Sequence, residues 1–289
     1  MSFILIADSG STKTDWALVN TQTSVIKIIN TIGYNPYFID EQGIINSLLE
    51  HLVPYLNNCI IDEIHFYGAG CSSDAKQQIV KQALKTVFAN VENIQVNHDL
   101  LASARALLGK NTGFAAILGT GANTAIYDGN DCVHNIDSLG YLLGDEGSGS
   151  YIGRKLLRDF MRKQMPADLQ KNFQTKFELG ANDVIIETVY DSQFPNRYLA
   201  SFCKFTDGQQ QNQYIQNIVN ESFDDFFKNL VSKYPNYKNY TFNCVGSVGY
   251  NFKENLAKIA ENYGMKVGKI IQSPMNDLAA YHLSLMQEN

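Results

Sequence analysis

Two stretches of the sequence, FILIADSGSTKTDWAL at residues 3–18 and FAAILGTGANTAIYDG at residues 114–129, share one outline. In each, an apolar run leads into a short segment of small and polar residues, and a second apolar run follows. This order predicts a strand, a tight turn and another strand. Backbone N–H groups and hydroxyls in such turns can bind anions, and two turns can grip the phosphates of a nucleotide. The pattern favours a phosphoryl-transfer enzyme.

Two further landmarks also occur twice, in the same order. A strand that runs into glycines appears as IHFYGAGC and again as FNCVGSVGY, and a polar-Asp-Leu helix start appears as HDLLASARAL and NDLAAYHLSL. The same distance of 31 residues separates Gly68 from Asp99 and Gly246 from Asp277. The matched order and spacing predict a duplicated α/β domain.

The alternation of strand and helix patterns predicts mixed sheets flanked by helices in both halves. We expect one domain over residues 1–112 and a second over residues 113–274, with a helix at about 275–289 packing back on the first. Residues 166–216 have no counterpart in the first half and are interpreted as an insertion. A QQQNQ run within it predicts a polar loop or a helix cap.

The composition limits the classes of partner. The chain has 289 residues, of which 45% are hydrophobic and 18% charged, and a formal net charge of -6. The acidic balance argues against nucleic acid as a partner, because phosphate backbones attract a surplus of Lys and Arg. No apolar run approaches the length of a membrane span, and the apolar start, broken by Asp8, indicates a strand rather than a signal peptide.

The five cysteines are scattered and form no CxxC pair. This argues against zinc and against a disulfide framework, and it favours a reducing cytoplasm. We expect them to be buried as small apolar side chains.

The two turns supply the candidate phosphate ligands. In the first turn these are Ser9, Gly10, Ser11, Thr12 and Lys13, and in the second they are Gly119, Thr120, Gly121, Ala122 and Asn123. Asp8 leaves a strand beside the first turn and is the candidate metal ligand, holding Mg²⁺ through water. The first turn is not a Walker A loop, which needs Gly before its Lys. A hairpin turn without a ligand is the alternative interpretation.

These turns, the GAG and GSVG segments and the run GDEGSG at residues 144–149 resemble the BadF/BadG/BcrA/BcrD-type ATPase family. This family lies in the sugar kinase–Hsp70–actin superfamily, and the chain is most similar to its N-acetylglucosamine kinase-like branch. The resemblance covers nearly the whole chain. It implies two ribonuclease H-like domains of the actin-like ATPase fold, ATP and Mg²⁺ in the cleft between them, and closure on sugar binding, which excludes water.

The resemblance implies ATP-dependent phosphorylation of an amino sugar, N-acetylglucosamine or glucosamine, at the 6-hydroxyl. Asp99 follows an apolar strand and precedes a helix, which is where ligands bind in α/β sheets. The resemblance makes it the general base that accepts the proton of the attacking hydroxyl. The alternative is that Asp99 is an N-cap, the role we expect for Asp277.

The same resemblance assigns the remaining site residues. Gly144 and Asp145 line the sugar, and Glu146 either joins them or caps the helix that begins near Ser148. Asn35, in GYNP, is similar to the family's GxxN sugar loop, with a plain Asn-Pro turn as the alternative. The adenosine-side residues are Gly246, Ser247 and Gly249, where absent side chains let a nucleotide approach the backbone.

The sequence departs from the family just ahead of GDEGSG. The family often has a Trp there, whereas this chain reads SLGYLL, and its single Trp, Trp16, is expected in the core. The departure leaves the identity of the sugar open.

Two other functions stay open. One is a non-catalytic ATP-binding protein that senses a sugar, for which Asp99 would be dispensable. The other is the iron–sulfur ATPase activator of a CoA-ester dehydratase or reductase, although those activators carry cysteines in their cluster loops and GDEGSG has none. The resemblance also allows a homodimer.

Overall fold

The computed structural model describes residues 3–24, 26–57 and 59–287. The chain divides into two compact units that it enters more than once. The first unit comprises Met1–Asn111, Gly129–Cys132 and Pro274–Asn289, and the second comprises Thr112–Asp128 and Val133–Ser273.

Each unit contains a five-stranded sheet. The strands are β1 Phe3–Ser9, β2 Lys13–Asn20, β3 Ile26–Ile32, β4 Ile61–Gly68, β5 Asn93–His98, β6 Gly113–Leu118, β7 Ala122–Tyr127, β8 Cys132–Asn135, β9 Thr241–Val245 and β10 Lys266–Ile271. The first sheet has the order β3-β2-β1-β4-β5, and the second has the equivalent order β8-β7-β6-β9-β10. In each sheet an antiparallel hairpin is followed by a strand parallel to its first strand. The shared order confirms the duplicated α/β fold.

Twelve α-helices flank the sheets within the described residues. They are α1 Glu41–His51, α2 Asp74–Val87, α3 Asp99–Leu108, α4 Gly140–Leu143, α5 Gly149–Met161, α6 Ala167–Phe177, α7 Asn182–Asp191, α8 Pro195–Cys203, α9 Gln213–Asn229, α10 Ser247–Asn251, α11 Lys253–Asn262 and α12 Met275–Gln287. None of them is both long enough and apolar enough to cross a membrane.

Residues 166–216 are mostly helical and contain α6, α7 and α8. Aromatic packing holds them together, with the rings of Phe173 and Phe205 4.9 Å apart and edge-to-face. The QQQNQ segment, for which a polar loop or a helix cap was predicted, contains the N-cap of α9. Asn212 Oδ1 accepts the N–H of Tyr214 at 3.0 Å at the start of that helix.

The core of the first unit includes Trp16, as expected. Its ring is fully buried, and its indole N–H donates to Thr31 Oγ1 at 3.0 Å, which satisfies the one polar atom of the side chain. The cysteines follow the expectation only in part. Cys71, Cys203 and Cys244 are buried, whereas Cys59 and Cys132 are half-buried, and none of the five forms a disulfide.

The expectation that Asp277 caps a helix is wrong. Asp277 is the third residue of α12, and the N–H of Leu278 already donates to the carbonyl of Pro274 at 2.8 Å. The helix therefore begins before Asp277, whose charge lies within the first turn, where an acidic side chain is favourable to the helix dipole.

Candidate functional site

The first turn joins β1 to β2 and presents its tip to solvent. The N–H of Gly10 donates to the carbonyl of Lys13 at 2.9 Å and closes the turn. A Cβ placed on Gly10 would meet only that carbonyl oxygen, 3.7 Å away. Space is therefore open beside the backbone for an anion such as a phosphate.

Buried polar groups hold this turn from behind. Ser9 Oγ lies 2.7 Å from Thr14 Oγ1 and accepts the N–H of Tyr34 at 3.0 Å. A Cβ placed on Gly33 would lie 2.3 Å from the Gly10 carbonyl oxygen, so only Gly permits this approach. Ser9 is fully buried, and its hydroxyl supports the turn. This geometry argues against the predicted contact of Ser9 with phosphate.

Two carboxylates lie at the ends of parallel strands beside the turn. Asp8 is the penultimate residue of β1, and Asp99 follows β5 as the first residue of α3. Burial, followed by the charges of Asp99 and Asp15, raises the pKa of Asp8 to about 7, against an opposing effect of Lys13. Burial also raises the pKa of Asp99. Each carboxylate therefore makes ionisation of the other less favourable. A bound cation would favour the ionised form of both.

The N-cap of α3 is His98, so the interpretation of Asp99 as the cap is wrong. His98 Nδ1 accepts the N–H of Leu101 at 3.2 Å. Asp99 Oδ1 accepts the N–H of Leu100 at 2.9 Å. The start of the helix therefore orients the Asp99 carboxylate at the carboxyl end of the sheet, where α/β proteins bind ligands.

Asn35 connects the predicted sugar loop to the first turn. Its Nδ2 donates to Ser11 Oγ at 3.0 Å, and its Oδ1 accepts the N–H of Tyr37 at 3.0 Å. A Cβ on Gly70 would lie 2.3 Å from Asn35 Oδ1, so that glycine makes room for the amide. Asn35 thus forms a turn, as the alternative interpretation expected, and also lies directly beside Ser11.

The second turn joins β6 to β7 and packs on the start of α5. The carbonyl of Gly119 accepts the N–H of Gly149 at 2.8 Å, and the carbonyl of Thr120 accepts the N–H of Ser150 at 3.0 Å. A Cβ on Gly119 would meet no atom within 4 Å. As in the first turn, space is open beside a glycine.

Asp145 links the GDEGSG run to this second turn. Its Oδ1 accepts the N–H of Ala122 at 3.1 Å, and its Oδ2 would lie 3.1 Å from a Cβ on Gly121. Asp145 is buried, and burial raises its pKa, against the N–H of Ala122 and the hydroxyl of Ser138. Because the N–H of Ala122 is already hydrogen-bonded to Asp145, the geometry argues against the predicted contact of Ala122 with phosphate.

Glu146 is not the cap of α5. Ser148 Oγ accepts the N–H of Tyr151 at 3.2 Å and fills that role. Glu146 is half-buried, and its Oε1 accepts a hydrogen bond from Asn229 Nδ2 at 3.0 Å. The second prediction for Glu146, a contact with sugar, stays a prediction.

Gly144 and Asn123 also have local contacts. A Cβ on Gly144 would lie 2.0 Å from the carbonyl oxygen of Ser138, so the glycine allows two chain segments to meet. Asn123 Oδ1 accepts a hydrogen bond from Asn135 Nδ2 at 2.9 Å, which ties β7 to β8.

The adenosine-side glycines bring α10 against the end of β6. A Cβ on Gly246, whose φ is 130°, would lie 2.3 Å from the carbonyl oxygen of Leu118, and one on Gly249 would lie 2.8 Å from Cys244 Sγ. Ser247 begins α10 between them. The space left by the absent side chains is filled by the protein itself. These contacts are a structural reason for glycine at both positions, and the approach of a nucleotide to this segment, which lies beside the second turn, stays a prediction.

Three residues beside the first turn and at the start of α3 have structural roles that were not predicted. Gly33 braces the turn, His98 caps α3, and Asp15 binds the Lys13 ammonium at 2.8 Å. The signal for Asp15 was available, because residues two apart on a strand share a face. The close approach at Gly33 depends on strands distant in sequence and had no local signal.

Across residues 3–24, 26–57 and 59–287, no group of three or more His, Cys, Asp and Glu side chains could hold a metal ion. The divalent cation predicted at Asp8 would therefore depend on water and substrate oxygens for most of its ligands. Mg²⁺ binds in this way in many phosphoryl-transfer sites.

No family model and no curated protein sequence matches the chain. Solved structures do match. A protein from Porphyromonas gingivalis, described as a "Putative N-acetylglucosamine Kinase", is 37% identical, with a TM-score of 0.92 over 97% of this chain and 99% of its own. A protein of the same description from Chromobacterium violaceum is 14% identical, with a TM-score of 0.71 over 96% of this chain and 98% of its own.

A ROK family glucokinase from Streptomyces griseus, solved with glucose and AMPPNP, is 13% identical. Its TM-score is 0.58 over 99% of this chain and 100% of its own. At such low identity, the likeness to the last two proteins concerns the fold alone. The likeness to the Porphyromonas protein covers both chains almost completely at substantial identity. The chain belongs to the N-acetylglucosamine kinase-like branch of the sugar kinase–Hsp70–actin superfamily.

Proposed function

We propose that this protein is an ATP-dependent kinase that transfers the γ-phosphoryl group of ATP to a hydroxyl of an amino sugar. N-acetylglucosamine or glucosamine is the proposed substrate, with its 6-hydroxyl as the acceptor. The observation that carries the proposal is the pair of carboxylates, Asp8 and Asp99, at the strand ends beside the open first turn. Membership of the N-acetylglucosamine kinase-like branch supports the choice of substrate.

Asp99 is the proposed general base. Its carboxylate accepts the proton of the sugar hydroxyl, the hydroxyl oxygen bonds to the γ-phosphorus, and ADP leaves with the electrons of the broken P–O bond. Burial raises the pKa of Asp99 above its usual range, and a base whose pKa is nearer to neutrality is a better proton acceptor.

Asp8 is the proposed protein contact of Mg²⁺, and its surroundings fit a cation. Its pKa of about 7 reflects burial beside two other carboxylates, a cost that a positive ion would offset. When bound, the ion would neutralise phosphate charge as ATP reacts. Asp8 would hold it through water, because Mg²⁺ keeps much of its hydration shell.

The two turns are the proposed phosphate-binding elements. The first turn offers the N–H groups, hydroxyls and ammonium of the half-buried Ser11 and the exposed Gly10, Thr12 and Lys13, and the second turn offers backbone beside Gly119. Asn35, Gly144, Asp145 and Glu146 are proposed to contact the sugar. For Asn35 and Asp145, this requires that they keep or exchange the hydrogen bonds that they make to Ser11 and Ala122.

The test is ADP release from MgATP in the presence of glucose, mannose, glucosamine, N-acetylglucosamine or N-acetylmuramic acid. We expect strong stimulation by one of the two proposed amino sugars, with one sugar phosphate formed per ADP. Stimulation by glucose or mannose alone would keep the kinase but overturn the amino-sugar assignment. A protein that binds MgATP and sugar without turnover would be a sensor, and the kinase proposal would be wrong.

A further inference from the structure

A row of polar side chains crosses the first sheet beside the first turn. In the register of β1, β2 and β3, Asp8 lies directly opposite Asp15, and Asp15 lies directly opposite Asn30. Directly opposed residues project from the same face of a sheet, and two like charges placed in this way are destabilising. The pairing of Asp8 with Asp15 therefore needs compensation.

Asp15 receives that compensation from two neighbours. Lys13 Nζ donates to both carboxylate oxygens, at 3.0 Å and 2.8 Å, and Asn30 Nδ2 donates to Oδ1 at 2.6 Å. The carboxylate is nearly buried, with 12% of the side chain exposed, whereas the Lys13 side chain is 67% exposed. Asp15 is thus the fixed partner of the pair and Lys13 the accessible one.

Such an arrangement limits where the Lys13 ammonium can lie. A free lysine on an exposed turn samples many rotamers, and ordering it costs side-chain entropy. Asp15 lies two residues along β2 from Lys13, and Asn30 fixes the Asp15 carboxylate from the neighbouring strand β3. The ammonium is therefore held at the base of the first turn, beside the proposed phosphate site, before any ligand arrives.

We propose that Asp15 is the positioning residue of the first turn, which holds the Lys13 ammonium in place to meet the phosphates of a nucleotide. This inference rests on the proposed function. It explains why a carboxylate stands opposite Asp8, where sheet pairing alone would favour a neutral side chain. Asn30 secures Asp15, so its own effect on nucleotide binding is smaller and passes through the carboxylate.

The test compares Asp15→Asn, Lys13→Ala and the double variant. Asp15→Asn keeps the size of the side chain and an oxygen that can accept from Asn30, and it removes the like charge opposite Asp8, so the protein should fold at least as stably. We expect the KM for MgATP and the Kd for MgADP to rise about 5–10-fold, part of the value of a charge-assisted contact, with kcat within about 2-fold. The double variant should bind no more weakly than Lys13→Ala alone, because Asp15 acts through Lys13.

A matched control removes the carboxylate of another lysine pair. Glu221 lies 3.1 Å from Lys155, between α9 and α5, and Glu221→Gln should leave the KM and the Kd unchanged. An unchanged KM in Asp15→Asn, or effects of the two single variants that simply add, would overturn the inference. A wild-type protein that binds no MgATP would instead overturn the proposed function itself, so the two failures are distinguishable.

Discussion

The first turn lies beside the carboxylates of Asp8, Asp15 and Asp99 and carries a lysine, whereas the second turn consists of backbone and small side chains with the carboxylate of Asp145 bonded to it. Each turn joins the first two strands of its own sheet, and the two sheets have equivalent strand orders. The duplicated fold therefore supplies an equivalent hairpin twice, whereas the charges beside the two turns differ. The difference assigns the proposed proton transfer and metal contact to the first unit.

Variants of Asp99 and Asp277 give the most direct test of this difference between the two units. The two residues occupy matching positions in the sequence repeat, yet only Asp99 is proposed to meet the reacting hydroxyl. Asp99→Asn should lower turnover by about 10²–10⁴, the usual contribution of acid–base help. Sugar-stimulated ADP release measures it, with circular dichroism to verify folding.

Asp277→Asn is the matched control, and its turnover should stay within about 2-fold of the wild type because an interaction with the helix dipole contributes only about 0.3–1 kcal/mol. Equal losses in the two variants would contradict the proposed division of roles between the repeats.

Gly246, which lies at a close backbone contact beside the second turn, should also be sensitive to substitution. Gly246→Ala would introduce a Cβ 2.3 Å from a carbonyl oxygen at a φ of 130°, so strain and overpacking should together lower the free energy of unfolding by about 2–4 kcal/mol. Chemical denaturation measures the effect. Gly180→Ala, where a Cβ would meet no atom within 4 Å, should change it little. Comparable losses at both positions would mean that the close approach of β6 and α10 does not constrain Gly246.

We expect the Asp8 carboxylate to lower the stability of the ligand-free protein and to support turnover. Its pKa is raised from 3.8 to about 7, so the folded state binds a proton that the unfolded chain releases, and the free energy of unfolding should fall as pH rises from about 4 to about 7. At pH 8, Asp8→Asn removes this cost and should stabilise the ligand-free protein by up to about 4 kcal/mol, since the pKa is raised by about 3 units and each unit corresponds to about 1.4 kcal/mol. The same variant should lose most of its Mg²⁺-dependent turnover. Thermal unfolding at pH 5 and pH 8 provides the measurement, and a variant less stable than the wild type at pH 8 would contradict the expectation.

The smallest expected effects concern two residues of GDEGSG, Glu146 and Ser148. Ser148→Ala removes the cap of α5 and should cost about 1–2 kcal/mol of stability. Glu146→Gln removes only a charge and should change the free energy of unfolding by less than about 0.5 kcal/mol. If Glu146 contacts the sugar, the second variant should instead raise the KM for sugar. An unchanged KM would restrict the sugar contacts of this run to Gly144 and Asp145.

Much of the fold was predictable because its signals are local. Two apolar runs around a short segment of small and polar residues predicted each hairpin, and the alternation of strand and helix patterns predicted mixed sheets flanked by helices. The helix caps were less predictable. Asp99 and Asp277 both resemble caps in sequence, but His98 caps α3, and α12 begins two residues before Asp277. Several polar residues near a helix start can serve as the cap, and the tertiary path of the chain selects one.

The sequence by itself determined the duplicated fold, the two turns of small and polar residues and the position of the candidate base, because each depends on residue type and spacing over a short stretch. Only the tertiary structure decided which polar groups are already used. Ser9 and the N–H of Ala122 have internal partners, the space beside Gly246 and Gly249 is filled, and Lys13 is held by Asp15. These contacts join strands and helices that are far apart in the chain or directly opposed in a sheet. Their geometry depends on register and packing, which no local pattern specifies.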